Sequence, residues 1–223
     1  MNPSIEGRVR RTLDRLPDHV ELVAAAKTRT PDEIRAAIAG GVRIVGQNYV
    51  QEAETAIAAL GRGVEWHMIG HLQRNKAKVA VRLFDTIQTV DSLRLAEKID
   101  SEARKVGRVV RILIEINSAE EPQKSGVLPG DAVEFVRQAA DLPSIRIDGL
   151  MTMGPLAADP EEVRPLFRIT KGLFDRITAL GIPGVRMKTL SMGMSDSYPV
   201  AIEEGASMIR IGTALFGPRE GSD

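Results

Sequence analysis

In Glu21-Leu-Val-Ala-Ala-Ala-Lys27, a primary amine follows a short apolar run. If that run is a strand, positions 23, 25 and 27 share one face. A lysine there, beside small alanines, has room next to it for a small molecule, and its amine can add to a carbonyl carbon. The plainer reading is a lysine at a strand end with its charged head in water. A second group lies near the end of the sequence. Arg210-Ile-Gly-Thr213 combines a cation, a glycine that lets a ligand approach the backbone, and a hydroxyl. The preceding Ser191-Met-Gly-Met-Ser195 supplies two more hydroxyls around Gly193. Two such turns side by side, with the unpaired N–H groups of a helix start, would form an anion cup; separately, each is an ordinary turn. Arg210 is in phase with Met208 and Gly212. It can face inward if it finds an acceptor, and a ring nitrogen or the carboxylate of Glu203 or Glu204 would serve.

Two histidines, His67 and His71, stand four residues apart with no carboxylate-histidine cluster around them, which argues against zinc. His71 follows Gly70 and is placed to line a pocket, whereas His67 reads as a hydrogen-bonded wall residue. Asn48, in Gly46-Gln-Asn-Tyr-Val-Gln-Glu52, is suited either to cap a helix or to orient a ligand hydroxyl.

The elements that must carry these groups alternate regularly. Strand-like runs fall at 21–27, 43–47, 65–70, 86–91, 108–117, 145–153, 187–192 and 208–213. Helical periodicity is clearest in two of the intervals. In 92–106 the stripe is Leu93, Ala96, Ile99, Ala103 and Val106; in 161–180 it is Val163, Phe167, Thr170, Phe174 and Ile177. Thr30-Pro-Asp-Glu33 reads as a helix start and Gly40-Gly41 as its end. Strands that alternate with helices must pair in parallel. Eight such units favour a closed (β/α)8 TIM barrel over an open doubly wound sheet. The stretch 2–16 is expected to form a helix that replaces the missing last one. In such a barrel the site lies at the C-terminal ends of the strands, with phosphate often bound after strands seven and eight.

Composition narrows the function. The chain of 223 residues is expected to form one domain. Thirty basic and thirty acidic residues give no net charge, which disfavours nucleic acid as the main partner. There are no cysteines, so disulfides and thiolate chemistry are excluded. Neither a signal peptide nor a membrane-length apolar run is present, and the expectation is a cytoplasmic protein.

Seven motifs occur in order: Ala-Ala-Ala-Lys27-Thr, Gly-Gln-Asn48-Tyr-Val-Gln-Glu52, Trp-His-Met-Ile-Gly-His71-Leu-Gln73, Glu115-Ile-Asn117 with Lys124-Ser-Gly126, Gly149-Leu-Met-Thr-Met153, Ser191-Met-Gly-Met-Ser195 and Arg210-Ile-Gly-Thr213. Together they resemble the pyridoxal phosphate homeostasis family, across roughly residues 20–217. The resemblance implies the barrel of the alanine racemase N-terminal domain, with pyridoxal 5'-phosphate (PLP) held as a Schiff base on Lys27. It implies that Ser191, Gly212 and Thr213 hold the phosphate, that Arg210 faces the pyridine nitrogen, and that Asn48 and His71 line the site. It further implies a monomer concerned with vitamin B6 and amino-acid homeostasis. Two positions depart from the family pattern: Gln47, where glutamate is usual, and Ser197-Tyr-Pro199 after the serine-rich turn. An arginine partner leaves the ring nitrogen an unprotonated acceptor and weakens the electron sink. The racemase's second domain is not expected to follow Thr213. The expectation is therefore a PLP carrier or regulator; PLP-dependent apo-enzymes are candidate recipients, which the sequence does not identify. Two readings compete with it. One is an amino-acid racemase of weak activity; the other is a barrel enzyme that uses Lys27 on a phosphorylated metabolite.

Overall fold

A computed structural model describes residues 4–155 and 159–218. Eight parallel strands close into a barrel in sequence order. They are β1 (Glu21–Ala25), β2 (Ile44–Gln47), β3 (Glu65–Met68), β4 (Thr86–Val90), β5 (Val110–Ile116), β6 (Ile145–Thr152), β7 (Thr189–Ser191) and β8 (Met208–Ile211). All eight lie within the expected runs, which overshoot mainly where the chain turns out of the strand into the site. Closure comes from β1 pairing with both β2 and β8, with Val23 opposite Ile44 on one side and Arg210 on the other.

Helices α1 (Ile5–Leu13), α2 (Pro31–Ala39), α3 (Val50–Leu60), α4 (Ala77–Leu83), α5 (Leu93–Lys105), α6 (Ala132–Ala140), α7 (Arg164–Ala179), α8 (Tyr198–Glu203) and α9 (Thr213–Phe216) accompany them. α2 begins with a complete capping box: the Thr30 hydroxyl accepts from the Glu33 N–H, while the Glu33 carboxylate accepts from the Thr30 N–H at 2.8 Å. Its end needs two glycines for different reasons. At Gly41 the backbone is left-handed, with φ of +114°. At Gly40 a Cβ would sit 2.9 Å from the Cβ of Val9, because α1 crosses there.

α1 closes the wall between the last and first units, as the sequence implies: Val9 is fully buried, and Arg8 Nε donates to the carbonyl of Leu215 at 2.6 Å. One detail differs from expectation. The last strand is followed by a single helical turn, α9, so the eighth helix is shortened rather than missing. That turn packs against α1 and buries Leu215 and Phe216 in the outer core.

Strand parity divides the interior into two unequal parts. Leu22, Ala24, Val45, Trp66, Ile112, Ile114, Leu150 and Ile209 face outward and join the helices in one large apolar layer. Inside the barrel the apolar cluster contains only Val23, Ile44, Ile69 and Met208, with Ala25 at its edge. The remaining interior positions are largely polar.

Candidate cofactor site

At the C-terminal mouth a cavity of about 350 Å³ opens beside the end of β1, within the size range of small-molecule sites. Val23 and Ala25 both face the barrel interior, and Lys27, two residues on, lines the cavity as strand phase requires. Asn48 enters it from the end of β2; Arg210, Gly212 and Thr213 enter it from β8 and the turn beyond. Five of the seven residues singled out from the sequence therefore share one small space.

The other two lie apart. Ser191 is fully buried and does not line the cavity; its hydroxyl accepts from Arg210 Nη1 at 2.6 Å and donates to Gln88 Oε1 at 2.7 Å. His71 lines a neighbouring depression with Tyr49 and Gln73. Its Nδ1 lies 3.3 Å from both Asp91 Oδ2 and Ser125 Oγ, and its side chain is 58% exposed. Within the serine-rich turn it is Met194, Ser195 and Asp196 that reach the cavity.

Arg210 finds neither of the carboxylates considered for it. Glu203 and Glu204 face outward to Arg164, at 2.6 and 2.7 Å, and Glu204 also meets Arg168 at 3.0 Å. They belong to α8 and its C-terminal edge, on the far side of the wall from the barrel interior. Arg210 instead donates to Ser191 and, through Nη2, to the carbonyl of Thr152 at 2.8 Å. Burial pulls its pKa down to about 10, opposed by the charge of Glu115, and it remains a cation at neutral pH. Glu115 is itself pushed up to about 7, first by burial and then by Asp91, with Arg210 opposing. In the sequence Glu115 stands only as part of the Glu115-Ile-Asn117 motif. Its phase with Leu113 and Arg111, opposite to the apolar 110, 112, 114 and 116, was the signal for an inward carboxyl.

Asn48 does not cap α3. The cap position is Tyr49, with no side-chain bond, so the Asn48 amide is left to the cavity. Its backbone is pressed by Gly70, where a Cβ would lie 2.5 Å from the Asn48 carbonyl oxygen. Gln47 is buried on the outward parity, and its Oε1 has no hydrogen-bond partner. Pro199 is accommodated in the first turn of α8.

The donor set suits a small anion that carries a carbonyl and a ring acceptor. Lys27, Arg29 and Arg210 line the cavity against a single carboxylate, Asp196. Arg29 is already engaged: it donates to the Gly217 carbonyl at 2.5 Å and to Glu33 at 3.0 Å. Arg210 spends two N–H groups on the protein out of the five that a guanidinium carries. At Gly212 a Cβ would come within 3.2 Å of the Ala25 carbonyl, so a bare backbone keeps this turn against β1. Among the described residues no group of three or more His, Cys, Asp or Glu is arranged to hold a metal ion. Nor is any helix among them long and apolar enough to cross a membrane.

A barrel with an amine after its first strand and an arginine on its last defines a class, and comparison with known proteins places the chain within it. Residues 4–220 match the family model "Alanine racemase, N-terminal domain". The pyridoxal phosphate homeostasis protein of Aquifex aeolicus is 40% identical over 201 residues, covering 90% of this chain and 87% of that protein. The protein of the same name from Escherichia coli K12 is 37% identical, covering 92% and 88%. PipY of Synechococcus elongatus PCC7942, in a structure with PLP bound, superposes with a TM-score of 0.88 at 37% identity, covering 96% of this chain and all of that one. Alanine racemase of Clostridium difficile shares the fold alone, with a TM-score of 0.84 at 15% identity; 58% of its length is covered. The chain belongs to the pyridoxal phosphate homeostasis protein family.

Proposed function

We propose that this protein binds PLP covalently through Lys27 and serves intracellular PLP homeostasis as a carrier or regulator. The observation that carries the reading is the convergence of Lys27, Arg210 and the Gly212–Thr213 turn on one cavity of about 350 Å³. When bound, PLP would supply an aldehyde for the Lys27 amine, with water as the leaving group.

Each residue then has a task set by its own chemistry. Lys27, half-buried at the mouth, offers the amine. The backbone at Gly212 and Thr213, together with the Ser195 hydroxyl 3.5 Å from the Ala214 N–H, suits the phosphate. This shifts part of the phosphate role expected of Ser191 to Ser195, since the Ser191 hydroxyl is committed to Arg210 and Gln88. The N–H groups that Arg210 does not spend on the protein suit an unprotonated ring nitrogen. The Asn48 amide, which lines the cavity, suits a ring substituent, and His71, in the adjoining depression, suits a border to the approach. An arginine partner would leave the ring nitrogen an acceptor, which would favour storage over carbanion chemistry. The names of the relatives support the homeostatic role. Delivery to PLP-dependent apo-enzymes by a cytoplasmic, single-domain monomer completes the proposal, and the partial exposure of Lys27 is consistent with exchange.

The test is the visible absorption spectrum of the purified protein after incubation with PLP, beside Lys27→Ala. A band from the lysine adduct is expected in the first and not in the second. The same band in both would move the attachment to another amine and refute the reading.

A further inference from the structure

Beneath the cavity, a hydrogen-bonded column runs down the barrel axis. Arg210 Nη1 meets Ser191 Oγ at 2.6 Å, Ser191 Oγ meets Gln88 Oε1 at 2.7 Å, and Gln88 Nε2 meets His67 Nδ1 at 2.9 Å. His67 Nε2 then lies 3.3 Å from Glu65 Oε2, which also receives Arg111 at the opposite mouth. Ser191 and Gln88 are fully buried; His67 and Arg210 are 2% and 4% exposed. None of His67, Gln88 or Glu65 lines the cavity.

The chemistry of the groups leaves the column one direction. Guanidinium has donors only, so Ser191 must accept from Arg210. The single serine proton then goes to Gln88, whose carbonyl oxygen must face it. That orientation turns the Gln88 amide nitrogen toward His67, with a further contact to Met208 Sδ at 3.2 Å. An amide nitrogen only donates, so His67 Nδ1 must be bare. The ring proton is left on Nε2, facing the Glu65 carboxylate. Burial lowers the pKa of His67, against the opposing effect of Glu65, which agrees with a neutral ring. A cation at the site thus dictates the tautomer of a histidine three hydrogen bonds away.

We propose that His67 and Gln88 are positioning residues for Arg210: through Ser191 they fix the plane of its guanidinium, so that its free N–H groups face the ring of a bound cofactor. This rests on the PLP reading above. Without the column, the Ser191 proton has no fixed acceptor and can turn against Arg210. The guanidinium is then held only by the Thr152 carbonyl and is free to rotate about it.

The experiment compares the wild type with Gln88→Leu, which cuts the column, and Gln88→Glu, which restores an acceptor for Ser191. Each is titrated with PLP carrying 15N in its ring. In Gln88→Leu the lysine adduct still forms. Its Kd for PLP is expected to rise about tenfold, the value of a charge-assisted hydrogen bond held in poor geometry. The ring 15N shift is expected to move toward that of an unbonded pyridine, a change that loss of stability alone would not produce. Gln88→Glu should return both to within about twofold of wild type. A Gln88→Leu variant with native circular dichroism, wild-type Kd and unmoved ring shift would overturn the proposal. Should that variant fail to fold, 15N NMR of His67 in the PLP-free wild type decides instead. A proton on Nε2 with bare Nδ1 supports the column, and a proton on Nδ1 overturns it. Absence of any lysine adduct in the wild type would defeat the PLP reading and the ring-facing role with it. The His67 tautomer, measured without PLP, then reports separately on the column.

Discussion

Replacing Glu115 by glutamine should make the protein more stable in mild base and indifferent in mild acid. The carboxyl is 5% exposed, lies close to Asp91 and has only Arg210 in its favour; burial lifts its pKa from 4.5 to about 7. In the window between these values the folded protein keeps a proton that the unfolded chain has released. Stability therefore falls as pH rises through the window. At about 1.4 kcal/mol for each tenfold, the full loss from 4.5 to about 7 comes to about 3.5 kcal/mol. About 2.5 kcal/mol of it should appear between pH 5 and 8. Urea denaturation of the PLP-free wild type and Glu115→Gln across that range measures it as a difference. His67 works the other way: its depressed pKa withdraws stability as pH falls below about 6.5, the value at which the unfolded chain takes up the proton. It contributes equally to both proteins and cancels in the difference. Parallel stability curves would refute the assignment. That outcome would mean that attraction to Arg210 outweighs burial and that Glu115 is ionised throughout the range.

Two further substitutions test the frame around the site. Thr30→Ala removes the side-chain half of the capping box on α2 and should cost about 1 kcal/mol in urea denaturation, leaving the secondary structure intact. Gly149→Ala should be far more damaging, because the backbone there has φ of +152° and a Cβ would lie 1.8 Å from the Thr189 carbonyl oxygen. A loss of about 3 kcal/mol or more is expected, visible as a large drop in the thermal midpoint.

The barrel was legible because its outer layer obeys simple periodicities. Ile112, Ile114 and Ile116 alternate with Arg111, Leu113 and Glu115, and the α5 stripe places Ala96, Ile99 and Ala103 in the core. Lys27 was legible for the same reason, since two-residue phase carries Val23 and Ala25 on to it. The failures came where position depends on three-dimensional neighbours. Glu203 and Glu204 are near Arg210 in sequence, but α8 turns them outward to Arg164 and Arg168. Ser191 belongs to the right turn, yet being in the strand it points below the cavity floor, while Ser195, past the left-handed Gly193, reaches the cavity. Gln88 gave no signal at all. In Thr86-Ile-Gln-Thr-Val90 it is one polar residue among several, and only barrel closure brings it to Ser191 and His67.

The placement of polarity also explains how the fold tolerates this interior. A TIM barrel is usually filled with layers of bulky branched side chains. Here the inner apolar cluster comprises only Val23, Ile44, Ile69 and Met208 with Ala25, while Arg210, Ser191, Gln88, His67 and Glu115 are buried among them. Buried polar groups are costly unless each finds a partner. Four of these five do so by forming a column, and Glu115 does so by holding a proton until about pH 7. Stability is supplied instead by the layer between strands and helices, where Trp66, Phe84, Phe167 and Ile99 are fully or nearly fully buried. Because that layer lies outside the strands, the barrel axis is released from packing duty. The axis can then carry charge and directed hydrogen bonds up to the mouth, where Lys27 stands.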